Sequence, residues 1–315
     1  MKKISILIPT YNEEENVQPL FEAISNLFLN ELPQYEYEVI YIDNDSKDKT
    51  RQIIRNMAGN NERVKAIFNL RNFGQHNSPY YGIMQTSGDC TILMCADFQD
   101  PVEMIPRFVK EWENGHKVVC AIKTRSKTNP VVYFLRKCYY KTIKKLSDIE
   151  QIENFTGFGL YDKSFIEIMK ELKDATPFLR GIVAEYAPDR KEIPYCQEKR
   201  KFGISKNNWY SLYETAMLSF TSYTKIMLRL AVFIGALVGG SSFLISIVYL
   251  IFKLIYWDRF QAGTAPIIIS ICFLGAVQLF FLGILGEYIL AMNTRIINRP
   301  LIIESERINF EEKDG

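Results

Sequence analysis

Three short polar clusters carry the residues that could do chemistry. Pro9-Thr10-Tyr11-Asn12-Glu13-Glu14-Glu15-Asn16 offers hydroxyls, amides and carboxylates, a set suited to hydrogen-bonding a nucleoside. Alone, it reads as an acidic helix start. Asp43-Asn44-Asp45-Ser46-Lys47-Asp48-Lys49-Thr50 brings acidic side chains, then Ser and Thr, to the end of a strand, where they can grip a base and a ribose. Alone, it reads as a capped strand-to-helix turn. The third cluster, Cys95-Ala96-Asp97-Phe98-Gln99-Asp100-Pro101, ends an apolar run, and alternation puts Cys95, Asp97 and Gln99 on one face if the strand continues. A carboxylate there, beside a nucleotide, can hold Mg²⁺ or Mn²⁺ against a diphosphate, because hard cations take oxygen ligands and complete their shell from water and phosphate. Such an ion neutralises charge on a leaving nucleoside diphosphate. No GxGxxG follows the first strand and no Walker lysine motif occurs, which argues against a dinucleotide or P-loop site. His76 and His116 are the only histidines.

These clusters need a scaffold, and the first 125 residues supply one. Strand patterns at Ile4 to Ile8, Glu38 to Asp43, Val64 to Phe68, Thr91 to Cys95 and Val118 to Ile122 alternate with helical patterns. The helices read as Glu13 to Phe28, Asp48 or Lys49 to Met57, Ser78 to Thr86 and Val102 to Glu113. This alternation predicts an α/β fold with a mostly parallel, doubly wound sheet. The polar clusters follow strands, where ligands of open α/β sheets bind. Further on, Phe158 to Tyr161 reads as a strand and Phe178 to Ala184 as a short helix. Pro130 to Leu146 reads as a basic amphipathic helix, suited either to a lipid surface or to packing on the sheet.

Two uncharged runs close the chain: Leu230 to Phe252, 23 residues, and Phe260 to Gly286, 27 residues. Each exceeds the ~20 apolar residues needed to cross a bilayer. The alternative is a pair of helices buried in a soluble core. Basic residues flank the runs, Lys199, Arg200, Lys201, Lys206, Lys225 and Arg229 before and Arg295, Arg299 and Arg307 after. This predicts both ends on the cytoplasmic face. The expected organisation is a cytoplasmic domain over 1–208, a juxtamembrane helix over 209–229, two transmembrane helices over 230–292 and a cytoplasmic tail over 293–315. The N-terminus shows no secretory h-region. A formal charge of +2 on 315 residues gives no support to a nucleic-acid partner. The six cysteines show no CxxC pair or zinc spacing and read as reduced packing residues.

Taken together, the three clusters resemble glycosyltransferase family 2, with its GT-A fold. Arg71-Asn72-Phe73-Gly74, Ala96-Asp97-Phe98-Gln99-Asp100-Pro101, Phe178-Leu179-Arg180-Gly181, Phe202-Gly203-Ile204-Ser205-Lys206, Gly286-Glu287-Tyr288 and Arg299-Pro300-Leu301 are similar to the polyprenyl-phosphate branch of that family, and the paired spans to its bacterial bactoprenol group. The order of these motifs, with the hairpin, is more specific than any one of them. The resemblance implies inverting transfer of a hexose from a nucleotide diphosphate sugar to polyprenyl phosphate at the cytoplasmic face of the inner (plasma) membrane. UDP-glucose is the leading donor, with GDP-mannose or UDP-N-acetylglucosamine as alternatives. By matched position, Pro9, Tyr11, Glu13, Asp43 and Asn44 are expected to hold the nucleoside, with Asp97. Asp97 and Gln99 are expected to hold Mg²⁺ or Mn²⁺ and the diphosphate. Arg125, Arg136, Arg200 and Lys206 are expected to face the acceptor phosphate or the diphosphate, with Asp97, Arg125 and Arg136 as the catalytic set. Arginine suits phosphate because its fork pairs bidentately with oxygens. The resemblance also implies homo-oligomers, with a tetramer as one form.

The chain departs from the pattern at three places. The family commonly has Asp-Asp-Gly-Ser where this chain has Asp43-Asn44-Asp45-Ser46, and Asp-Ala-Asp where it has Cys95-Ala96-Asp97. A thiolate is a poor match for Mg²⁺, which leaves Asp97 as the metal residue. Many relatives have Gly-Asp-Phe-Arg where this chain has Thr156-Gly157-Phe158-Gly159, which removes an obvious general base. A phosphate monoester, with a second pKa of about 6, is largely dianionic at neutral pH and needs no such base. Two other readings have partial support in the sequence. A processive polysaccharide synthase usually has further spans and a Gln-x-x-Arg-Trp motif, and neither is found. A non-catalytic membrane relative of the fold is motivated by the departures.

Overall fold

The computed structural model describes residues 1–125, 152–198, 200, 217, 226–255, 264–297 and 299–310. The basic helix expected over 130–146, Arg136, Lys206 and nearly all of the juxtamembrane stretch lie outside the described residues. The chain runs β1 (Lys3–Thr10), α1 (Val17–Glu31), β2 (Glu36–Asp43), α2 (Thr50–Asn60), β3 (Val64–Asn69), α3 (Asn77–Met84), β4 (Cys90–Leu93), α4 (Met104–Glu113) and β5 (Val118–Arg125). It continues as β6 (Phe155–Asp162), α5 (Lys163–Leu172), α6 (Leu179–Tyr186), β7 (Lys191–Cys196), α7 (Ile226–Ile255), α8 (Thr264–Ile297) and β8 (Glu304–Ile308).

Eight strands form one sheet in the order β7-β5-β6-β4-β1-β2-β3-β8. The central strands β4, β1, β2 and β3 are parallel, as the alternating pattern requires. β6 runs antiparallel to both β4 and β5, and β8 antiparallel to β3, so the sheet is mixed, with all its strands except β6 and β8 running the same way. Helices cover both faces. Leu20 and Ile24 of α1, Ile54 of α2 and Phe108 of α4 pack on one face. Tyr80 of α3, Phe165 and Met169 of α5 and Val183 of α6 pack on the other. This two-sided cover explains why β1 and β4 read as nearly unbroken apolar runs.

Two departures from the expected pattern have local causes. Gly157 adopts φ +103°, and a Cβ on Gly159 would lie 2.2 Å from the Val119 carbonyl oxygen of β5. Both glycines of Thr156-Gly157-Phe158-Gly159 are therefore demanded by the backbone of β6, where an Asp and an Arg do not fit without moving the chain. The second departure lies in the C-terminal segment expected to be a polar tail. Residues 304–308 pair with β3, and the Leu70 N–H donates to the Ile303 carbonyl at 2.9 Å.

The described residues of the two apolar runs lie in α7, of 30 residues, and α8, of 34. Among the described residues one stretch, Phe273–Ile297, is long and apolar enough to cross a membrane, and none of its core window is buried. Val232, Phe233, Leu237, Leu279 and Phe280 are all more than 60% exposed. These side chains are not packed into the core beneath the sheet.

Candidate active site

The carboxyl ends of β1, β2, β3 and β4 lie side by side, and the three polar clusters meet there. Pro9 is paired with Ile42 inside the sheet, and Tyr11 follows directly on β1. The first cluster is laced to the second by backbone donors. Asn12 N–H donates to Ser46 Oγ at 2.8 Å, Glu13 N–H to Thr50 Oγ1 at 2.8 Å, and Lys47 N–H to Asn12 Oδ1 at 2.7 Å. The hydroxyls that looked like ribose ligands thus hold two loops together.

Asp43 is fully buried. Its Oδ1 accepts from the Ser46 N–H at 3.0 Å and from Arg51 Nε at 2.5 Å, and its Oδ2 accepts from the Ser46 hydroxyl. Asn44, 8% exposed, is turned onto the chain after β3. Each cluster contains one non-glycine residue in the left-handed region: Asn12 at φ 55°, Asp45 at 66° and Phe98 at 59°. Asn and Asp tolerate this conformation, but a phenylalanine there is strained, and such strain concentrates where a loop must present its side chains in one way.

Phe98 lies between the two residues expected to hold a metal. Asp97 Oδ1 accepts from the Gln99 N–H at 3.2 Å, and Gln99 Oε1 accepts from Gln197 Nε2 at 3.2 Å. Arg200 reaches across from the segment after β7. Its Nε lies 3.3 Å from Asp97 Oδ2, and its Nη2 donates to Glu13. Glu13 also accepts from Asn16 Nδ2 at 2.7 Å. The structure therefore brings Glu13, Asp97, Gln99 and Arg200 together. Arg125 ends β5 in register with Cys196.

The donors at Asp97 and Gln99 are all oxygens, which fits a hard divalent cation. Among the described residues no group of three or more His, Cys, Asp or Glu side chains could hold an ion. The chain would supply one or two ligands, leaving the rest to water and phosphate. Cys95 is exposed and offers only a soft sulfur.

Sequence reasoning missed the support beneath this loop. Asp100, 2% exposed, accepts from the Cys95 N–H at 3.0 Å and from the Tyr195 hydroxyl at 3.1 Å. Burial pushes its carboxyl above the ordinary carboxylate range, against the pull of the Cys95 bonds. It also missed Arg51, the cation that neutralises Asp43. On the far rim, His76 packs edge-on against Phe178 at 5.9 Å. Burial, helped by the nearby Arg180, lowers its pKa to about 4, so the imidazole is neutral at pH 7.

Residues 5–169 match glycosyl transferase family 2. The chain is 33% identical over 310 residues to the SfII prophage-derived bactoprenol glucosyl transferase of Shigella flexneri, covering 98% of this chain and 99% of that protein. It is 30% identical over 288 residues to the prophage bactoprenol glucosyl transferase homolog of Escherichia coli K12, covering 91% and 93%. Among solved structures, mannosyl-3-phosphoglycerate synthase from Rubrobacter xylanophilus aligns with a TM-score of 0.48 at 13% identity, over 73% of this chain and 74% of that one.

Proposed function

This chain belongs to glycosyl transferase family 2, and on that footing we propose that it transfers a hexose, with glucose from UDP-glucose as the leading donor, to the phosphate of a membrane polyprenol with inversion. The observation that carries this reading is the breadth of the match. It spans 98% of the chain, sheet and apolar helices alike, to a relative named for glucosyl transfer to bactoprenol.

The nucleoside end of the donor is read at the joined loops after β1, β2 and β3, where Tyr11 and Glu13 stand beside a framework fixed by Asp43 and Asn44. Asp97 and Gln99 would hold Mg²⁺ or Mn²⁺, which when bound supplies positive charge to the leaving diphosphate. Arg200 adds a second positive charge on the same carboxylate and, being a fixed planar fork, suits a phosphate oxygen pair. Arg125, Arg136 and Lys206 complete the proposed basic lining. The acceptor is already dianionic near neutral pH, since its second pKa is about 6, so it attacks the anomeric carbon without a protein base. The chain's task is then to orient and to neutralise, which can account for most of the rate. The glycines forced at 157 and 159 are compatible with this chemistry, because no carboxylate is required of β6.

α7 and α8 are read as a hairpin that crosses the bilayer twice, with loop outward and the sheet on the cytoplasmic face. At ~1.5 Å per residue either helix exceeds the ~30 Å hydrocarbon core. β8 supports this reading: a chain that crosses twice returns to its starting side, and β8 joins the same sheet that precedes the helices. Homo-oligomerisation through the hairpin is part of the same proposal.

The test is transfer of radiolabelled sugar from a donor panel (UDP-glucose, UDP-galactose, UDP-N-acetylglucosamine, GDP-mannose) into organic-extractable lipid, using the purified full chain and undecaprenyl phosphate. The expected result is label from UDP-glucose, lost at least a hundredfold in Asp97→Ala and on chelation. No label from any donor overturns the enzymatic reading. Undiminished label in Asp97→Ala overturns the metal assignment.

A further inference from the structure

Asn44 ends the β2 strand-to-loop transition, and its carboxamide is used at both ends. Oδ1 accepts from Asn69 Nδ2 at 3.1 Å and from the Phe73 N–H at 2.8 Å. Nδ2 donates to Asn72 Oδ1 at 2.9 Å and to the Gly74 carbonyl at 3.2 Å. Two donor and two acceptor positions are what a primary amide has, and all four are filled. The surrounding atoms are themselves tied in. Asn72 Oδ1 also accepts from the Gly74 N–H at 2.9 Å, Asn69 Nδ2 also donates to Ser78 Oγ at 2.9 Å, and the Asn44 N–H donates to the Thr10 carbonyl at 2.9 Å.

The segment so gripped runs over the surface between β3 and α3. Leu70, Arg71, Asn72, Gly74 and Gln75 are exposed, and residues 70–74 belong to no helix or strand. Gly74 adopts φ +91°, a turn that its lack of Cβ permits. Leu70 is fixed from one side by Ile303, and Asn44 fixes the remainder from below. A carboxylate at position 44 would keep the two accepted bonds. It could not donate, and it would set its oxygens against Asn72 Oδ1 and the Gly74 carbonyl. The asparagine in Asp43-Asn44-Asp45-Ser46 therefore has a specific structural reason.

We infer that the Asn44 side chain acts on the donor through the 70–74 loop: it is a positioning residue whose bonds to Asn72, Phe73 and Gly74, with a fourth to Asn69 at the end of β3, hold that loop against the nucleoside end of the site. This rests on the reading of a nucleotide sugar bound at these strand ends. An exposed loop set in one conformation before binding does not have to be ordered by the ligand, and that saving appears as donor affinity.

The experiment compares Asn44→Asp, Asn44→Ala, Asn72→Ala and the double variant of the last two with the unaltered full chain. Donor KM in Asn44→Asp rises about tenfold while kcat stays within about twofold. A general loss of folding would lower kcat through the active fraction and leave KM in place. In the Asn44→Ala background the effect of Asn72→Ala shrinks, because the pair acts as one unit. Hydrogen exchange without any substrate is expected to quicken at the Phe73 and Gly74 amides in Asn44→Ala and to stay unchanged in β1 and β2. Unchanged exchange overturns the positioning role, and a raised KM with unchanged exchange assigns Asn44 to direct contact instead. If the unaltered chain turns over no nucleotide sugar, the donor reading falls, and the exchange data still decide whether Asn44 holds the loop.

Discussion

Arg200 Nε lies 3.3 Å from Asp97 Oδ2, so the residue read as the metal ligand is already paired with a protein cation. A guanidinium and a divalent ion draw on the same carboxylate. In Arg200→Ala, Mn²⁺ binding without donor is therefore expected to strengthen, about three- to tenfold, as counted by the electron paramagnetic resonance signal of free Mn²⁺. Transfer to lipid is expected to fall at least tenfold in the same variant, since the charge facing the phosphates is gone. Ion binding that is weaker or unchanged would argue against a shared carboxylate.

Asp100 is a buried acceptor with two donors, and its removal strands both. Asp100→Ala is expected to lower stability by about 2–4 kcal/mol, because the Cys95 N–H and the Tyr195 hydroxyl lose their partner. Tyr195→Phe removes one donor and is expected to cost about 1–2 kcal/mol. Urea unfolding of the two variants measures this, and a loss in Asp100→Ala no greater than that in Tyr195→Phe would contradict it.

Gly159→Ala tests whether β6 can carry a side chain at this place. The new Cβ meets a backbone oxygen of β5 rather than a movable side chain, so one of the strands must shift. A loss of about 3 kcal/mol or more is expected, at the upper end of overpacking costs. A Gly159→Ala protein that melts within a degree of the parent would refute the steric account.

Glu38 makes the fold sensitive to acid. Burial alone would raise its pKa, but bonds from Lys3, Ser5, Lys65 and Ser87 outweigh that and bring it from 4.5 to about 2. A folded-state pKa below the unfolded one gives stability that is present above pH 4.5 and lost as pH falls toward 2, here about 3 kcal/mol. Glu38→Gln should flatten the stability profile across that window. His76, lowered to about 4, works in the adjoining range: the unfolded chain binds its proton first, so stability also falls as pH drops from 6.5 to 4.

The parts of the fold that were legible are those with a strong period. β1, β2 and β3 are apolar because helices cover both faces, and α4 alternates Met104, Ile105, Phe108, Val109 and Trp112 onto the core. β7 escaped notice because Pro194 breaks the strand pattern and only Ile193 and Tyr195 are buried. β8 escaped because Glu304, Ser305, Glu306 and Arg307 make a polar run, as suits an outermost strand.

The site divides in the same way. Its three loops could be found because each follows an apolar strand. Their internal wiring could not, since Arg51, Asn69, Asp100 and Tyr195 matter through partners that no local pattern names. Arg200 was read as facing phosphate, and 187 positions separate it from the Glu13 carboxylate it also grips.

The outermost strand has a further consequence for how the molecule is made. Translation runs from the N-terminus, so the flank of Val64–Asn69 waits without its neighbour until residues 304–308 leave the ribosome. The long apolar helices Ile226–Ile255 and Thr264–Ile297 both precede that strand. Completion of the sheet therefore comes after both long helices are made, and a nascent chain delayed at that step exposes an open sheet edge to its neighbours.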